Sequence, residues 1–310
     1  MTSAPATEPA GTRSSRASQR GRPGARRVRA GHVFVAGYVV LLAAFGIVPT
    51  AYGIYFAFTN AGNTFAGLAN FTGVTRDFRY LPAVEHVGLY LLIWLVTLVV
   101  FVTSLSLVLH QLAARRLGRL VRFLYYIPGA LAGAASVMVW LFMLDPTVSP
   151  AASFLRLLGY GTFGQAVEPG HLPILFAMIA FWTGAGGWIV VMYGALNNIP
   201  LEILEAARID GAGAWRIAQR IQIPLLRKWI VYMVILAFAT GTQLFVEPQL
   251  ISLASLGVAG RDYSLNQLAY DFAFQNDNVN YAAAISVELL VVSLAVAALF
   301  VIRSGFFDAS

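Results

Sequence analysis

Few residues in this chain are equipped for covalent chemistry. Cysteine is absent, the only lysine is Lys228, and the four histidines are scattered. That leaves no thiolate nucleophile, no disulfide framework and no metal-ligand spacing, and no Ser-His-acid arrangement can be argued. Lys228 follows Leu226 and Arg227 rather than a glycine-rich loop, so the cradle that holds ATP phosphates is missing. Gly211-Ala212-Gly213 lacks the third glycine and preceding strand of a dinucleotide site. The sequence therefore implies no enzyme site and no cofactor or metal bound by this chain.

What remains is a small set of polar and aromatic residues inside long apolar runs. Glu247 is followed by Pro248, with Gln243 one turn earlier, and Glu288 lies in the last run. A carboxylate near lipid faces a bundle interior or a water-filled cavity, which makes Gln243 and Glu247 candidates for a solute pathway; a place at the headgroup level, where charge is cheap, satisfies Glu247 equally. Trp182 and Trp188 enclose Gly184, Gly186 and Gly187. Their faces suit stacking on a sugar ring, and suit packing or the membrane interface as well.

The largest polar island is residues 197–226, NNIPLEILEAARIDGAGAWRIAQRIQIPLL. Asn197 and Asn198 are expected to cap a short helix with Pro200 in its first turn, where a missing N–H costs nothing. Glu202 and Glu205 favour the positive end of that helix, and Asp210-Gly211 is a turn pair that stops it. Ala214, Ile217, Ala218 and Ile221 then recur at i, i+3, i+4 and i+7, which predicts a second short amphipathic helix, with a break at Pro224.

This arrangement resembles the cytoplasmic coupling loop of ABC importer permeases. The resemblance rests on Glu205, Ala206, Ala207, Gly211, Ile221 and Pro224, with Ile223 where leucine is more usual. It implies that the loop, Asp210 included, docks into a groove on a separate ATPase subunit, where small side chains permit close approach. Phe65, Gly67, Leu68, Asn70 and Phe71 resemble the F-x-G-L-x-N-F element of the carbohydrate-type branch, the maltose and glycerol-3-phosphate type permeases. Asn280-Tyr281-Ala282-Ala283-Ala284-Ile285-Ser286 resembles that branch too. The resemblance further implies a second permease subunit, ATP on the partner ATPase, and an external solute-binding protein that delivers a sugar or related polar solute.

Composition agrees with lipid as the solvent. Of 310 residues, 58% are hydrophobic and 11% charged, against about a quarter charged in soluble domains. Six apolar runs, at 33–58, 87–112, 120–144, 171–193, 228–251 and 281–302, approach or exceed the roughly 20 residues a membrane helix needs. The fold expected is all-α and polytopic, with six transmembrane helices and short coupling helices between the fourth and fifth. Seventeen of the 21 Lys and Arg fall in the tail, in 113–122, in 194–228 or at Arg303. Positive charge stays inside, so both termini and the 197–226 loop are expected to be cytoplasmic in a multi-pass bacterial plasma-membrane protein.

The net charge of +7 is thus a topology signal, with no nucleic-acid partner implied. Residues 1–31 carry seven Arg and one acid, Glu8, and are expected to form a disordered basic cytoplasmic tail before a permease domain at 32–310. Arg115, Arg116, Arg119 and Arg122 are expected to anchor a turn at the membrane surface. Gly129 and Gly133, in the third run, have the spacing of a helix-packing pair. An ion-coupled secondary transporter is the rival class, with an integral-membrane enzyme behind it. The first calls for inverted repeats and buried ion-binding carboxylates without a docking loop, the second for clustered catalytic residues. Neither pattern is visible, and a permease for a non-sugar solute is the alternative within the class.

Overall fold

The structure, a computed structural model, describes residues 35–111, 116–131 and 133–304. The tail at 1–31 and Arg115 lie outside the described residues. Apart from one isolated bridge, Thr59 to Phe65, the regular structure among the described residues is helical. This is the outcome lipid dictates, because a helix satisfies its own backbone where no water reaches.

Among the described residues five helices are long and apolar enough to cross a membrane, α1 (Val35–Ala57), α3 (Tyr80–Gln111), α8 (Leu172–Asn197), α10 (Ala214–Gly241) and α13 (Val279–Ser304), and the bent pair Phe123–Ala130 and Gly133–Leu144, taken as one span, makes six. Short helices connect them. These are α2 (Ala69–Thr75), α4 (Arg116–Tyr126), α5 (Gly133–Leu144), α6 (Ala152–Leu157), α7 (Phe163–Ala166), α9 (Leu201–Ile209), α11 (Val246–Ala254) and α12 (Leu265–Phe274). The chain divides into two compact units at Ala51/Tyr52, the first consisting, among the described residues, of the apolar start of α1.

In the second unit the core lies between α3, α8 and α10. Leu98, Val102, Phe176, Ile179, Ile189, Met192 and Met233 are fully buried there. Along α3, Val87, Leu91, Trp94, Leu98 and Val102 turn inward at three- and four-residue spacing, while Leu92, Val96 and Val100 are exposed. A second, smaller core of Val74, Ala83, Leu268, Phe272, Ala284 and Ile285 packs α2 and the start of α3 against α12 and the start of α13.

Three expectations fail here for local reasons. The run at 120–144 is not one helix: the chain leaves helical geometry at Leu131 (φ −76°, ψ 133°), and the segments 123–130 and 133–144 meet at 108°. Pro128, which opens the 3₁₀ turn at the end of the first segment, can donate no helix hydrogen bond. Gly129 therefore belongs to a 3₁₀ turn and Gly133 to α5, so they form no common packing face. The bend is seated on α8 at Gly186, where any Cβ would strike the carbonyl of Tyr125.

The break at Pro224 is also absent, since α10 runs from Ala214 to Gly241 without interruption. A π-turn at Ala218–Gln222 precedes the proline. Its wider hydrogen bonding shifts the carbonyls that the ring would otherwise strike, so the helix passes the proline instead of ending. The expected run at 228–251 is divided instead at Gly241, after which the chain turns and starts α11 at Val246. Gln243 and Glu247 are consequently not one turn apart on one helix. Pro248 sits in the first turn of α11, where its missing N–H is harmless.

Candidate functional site

The α8–α10 connection is built by its end signals. α8 includes Asn197 and is capped at its C-terminus by Asn198, so the two asparagines close one helix rather than open the next. Pro200, extended at ψ 133°, is the N-cap of α9 rather than a member of its first turn. At the other end Gly211 N–H donates to Arg208 O and Ala212 N–H to Ala207 O, at 3.0 and 2.9 Å. This paired closure requires a left-handed residue, and Gly211 supplies it at φ +78°. Gly213 is extended, and α10 starts one residue later.

Two faces of α9 differ. Leu204 and Ile217 are buried and, with His110, Gln111, Arg208 and Gln222, line a cavity of about 300 Å³ at the end of α3. Gln222 Nε2 approaches His110 Nδ1 at 3.4 Å, tying the π-turn of α10 to α3. The outward side exposes Glu205, Ala206, Asp210 and Gly211, with Ala207 half-buried. Beside them Ile203, Ile209 and Trp215 are exposed, Ile209 at 86% and Trp215 at 72%. Ile221 is half-buried and Pro224 exposed on α10, one and two turns beyond. Large apolar side chains on a polar connection are the mark of a protein contact.

The pathway candidates separate. Trp182 lines a cavity of about 290 Å³ with Tyr125, Pro128, Trp140, Met178 and Phe181, and meets Trp140 edge to face at 5.7 Å. Trp188 packs against Tyr232 of α10 at 5.8 Å and is not among the residues that line it. Gln243 is exposed in the turn after α10, and Glu247 is half-buried at the start of α11. Neither lines the cavity of Trp182.

Residues 104–308 match the family described as the inner membrane component of binding-protein-dependent transport systems. The chain belongs to that family. This permease is similar to the diacetylchitobiose uptake system permease NgcF of Streptomyces coelicolor, at 28% identity over 95% of this chain and 89% of the relative. It is also similar to MsmF, a multiple sugar-binding transport system permease of Streptococcus mutans, at 27% identity over 84% of this chain and 90% of the relative. Its fold matches a chain from the crystal structure of a bacterial ABC transporter that imports the acidic polysaccharide alginate. The TM-score there is 0.77 and the identity 16%, over 90% of this chain and 96% of the other. The permease is therefore a transport subunit rather than an enzyme, and a multi-pass protein of the bacterial plasma membrane.

Two sequence elements that mark the permease's branch meet at the other end of α3. Asn70 Nδ2 donates to the carbonyls of Ala57 and Thr59, at 2.9 and 2.7 Å. Asn280, 210 positions later, donates to the carbonyls of Phe56 and Thr59, at 3.0 and 2.7 Å. Both amides thus close the orphan carbonyls at the end of α1. Nearby, Arg79 donates from Nε and Nη2 to Asp77 at 3.0 and 3.1 Å, and from Nη1 to Asp271 at 2.6 Å. Those bonds hold the Asp77 carboxyl below its usual range. Tyr80 Oη donates to Glu288 at 2.8 Å, giving that carboxylate a structural partner. Sequence reasoning missed Arg79 and Tyr80 because their partners lie 192 and 208 positions away.

Proposed function

We propose that the permease forms half of an import pathway for a sugar or related polar solute, delivered by an external solute-binding protein and driven by a separate ATPase subunit. The observation that carries this is the α8–α10 connection: α9 buries Leu204 towards the cavity at the end of α3 and is closed by the Gly211 turn, and Ile209 of α9 and Trp215 at the start of α10 are exposed. An apolar surface of that kind, on the connection that carries Glu205-Ala206-Ala207 and Gly211 in a family member, is where a soluble ATPase would dock. Glu205, Ala206, Ala207, Asp210 and Gly211 form the contact face in this reading, with Ile221 and Pro224 fixing the helix that carries motion into the membrane. The excess of Arg and Lys in the tail, in 113–122 and in 194–228 supports placing this connection, and both termini, in the cytoplasm, with ATP on the partner subunit.

The similarity to sugar permeases supports the solute class, and the Trp140–Trp182 pair supplies aromatic faces that suit a sugar ring. The test is to purify the external binding protein that associates with this permease and identify its small molecule by mass spectrometry. A mono- or oligosaccharide, or a polyol, is expected. An amino acid or peptide there would sink the sugar reading while leaving the permease assignment intact.

A further inference from the structure

Behind the contact face of α9 lies the cavity of about 300 Å³ that the end of α3 and the start of α10 help to close. No role given above uses it. Four polar side chains line it: His110 and Gln111 from α3, Arg208 from α9 and Gln222 from α10. Leu201, Leu204 and Ile217 supply an apolar wall. A space of that size stands at the lower end of the range that small-molecule sites occupy, about 300–1,000 Å³.

The polar lining is rich in donors. Arg208 carries a planar fork of N–H groups and no acceptor. The Gln222 amide nitrogen approaches His110 Nδ1 at 3.4 Å, and its donation there leaves the imidazole proton on Nε2 as a further donor. Ala212 and Ala214 also line the cavity, and Ala214 opens α10 in a turn whose N–H groups no side chain caps. The positive end of that helix's dipole therefore lies beside the same space.

Charge on the connection narrows the class. Residues 197–228 hold five bases, Arg208, Arg216, Arg220, Arg227 and Lys228, against three acids, Glu202, Glu205 and Asp210. None of the three acids lines the cavity, and Arg208 forms no ion pair among the described residues. Arg208 and His110 thus line one space without a carboxylate, and they repel each other when both are charged, a penalty that an anion between them removes. A guanidinium fork beside a helix N-terminus fits the geometry of a phosphate, and the leucine and isoleucine wall fits a carbon group attached to it.

We infer that this cavity is a binding site for a soluble phosphorylated small molecule, its phosphate held by Arg208, His110 and the first turn of α10. The site rests neither on the solute class nor on the coupling role of α9. The test uses the full-length permease in a non-ionic detergent that carries no phosphate, without the ATPase subunit, whose own nucleotide site would also take phosphate. Phenyl phosphate, benzoate and phenol are titrated in by calorimetry. Phenyl phosphate is expected to bind once per chain, benzoate at least about tenfold more weakly and phenol not measurably. Arg208→Gln is expected to weaken phenyl phosphate by at least about tenfold, the loss of a charge-assisted pair. Arg220→Gln removes the same charge from the same connection but not from the cavity lining, and should leave binding unchanged. No binding of phenyl phosphate to the unmodified chain, or equal losses in the two variants, would overturn the site. Benzoate binding as tightly as phenyl phosphate would overturn the phosphate class. In phosphatidylglycerol nanodiscs the affinity for phenyl phosphate should match that in phosphatidylcholine nanodiscs; its loss in the former alone would give the cavity to a lipid headgroup and overturn the soluble source.

Discussion

At the scale of single residues, Gly211 is the position where sequence and geometry agree most directly. Asp210-Gly211 announces a turn, and the structure gives Gly211 φ +78° within a paired helix closure. A Cβ added there meets nothing within 4 Å, so the cost of substitution in this chain is backbone strain alone, about 1–2 kcal/mol for an L-residue held left-handed. Valine pays it in full, whereas asparagine tolerates that region. Gly211→Val is expected to insert and express normally but to lose transport, with ATP hydrolysis no longer stimulated by the loaded binding protein. Gly211→Asn is expected to retain most of both. Wild-type stimulation in Gly211→Val, at equal membrane expression, would remove the loop from the coupling role. Pro224 shows the opposite case, since the helix continues through it. A proline ends a helix when the preceding turn is α-helical, and the π-turn at Ala218–Gln222 depends on buried Ala218 and Gln222, which are tertiary facts.

At the scale of elements, the sequence displays where the spans are better than how they bend. Helices apolar on every side carry no periodic signal for the buried face, so the division of α3 into an inner row at Leu91, Trp94 and Leu98 and an outer row at Leu92 and Val96 appears only on packing. The bend after Pro128 was hidden for the same reason. The branch motifs became intelligible only in three dimensions, where Asn70 and Asn280 share the carbonyl of Thr59. A carbonyl oxygen accepts two hydrogen bonds, so either amide alone leaves it satisfied. Asn70→Ala and Asn280→Ala are each expected to destabilise the permease by about 2 kcal/mol, since each removes two bonds of about 1 kcal/mol. The double variant should lose more than the sum, by about 0.5 kcal/mol or more, because Thr59 is then left bare. Thermal unfolding of the four proteins in one detergent checks this, and strict additivity would show that the two amides act independently.

At the scale of the whole molecule, the permease has a pathway and no engine. Its apolar helices are incompletely covered by one another: along the windows with greatest hydropathy, 39% of α3 and of α8 is buried within the chain, against 17% of α10 and 11% of α13. Lipid can cover that surface, and so can a second permease, which is the arrangement that half a pathway requires. A change in such an assembly can be driven only by something that binds its states with different affinity. The chain has no phosphate loop, so nucleotide must act through a partner, and the exposed Ile209 at the end of α9 and Trp215 at the start of α10 are apolar side chains available for that contact. The purified permease alone is therefore expected to hydrolyse no ATP. With the ATPase subunit restored, hydrolysis should appear and should rise when the solute-loaded binding protein is added to the opposite face. Trp215→Glu and Ile209→Glu, placed on the exposed surface and away from the core, should leave insertion unchanged and abolish ATPase association in a pull-down from membranes. Hydrolysis by the chain stripped of its partner, or intact association in the double Glu variant, would require a different route for the energy.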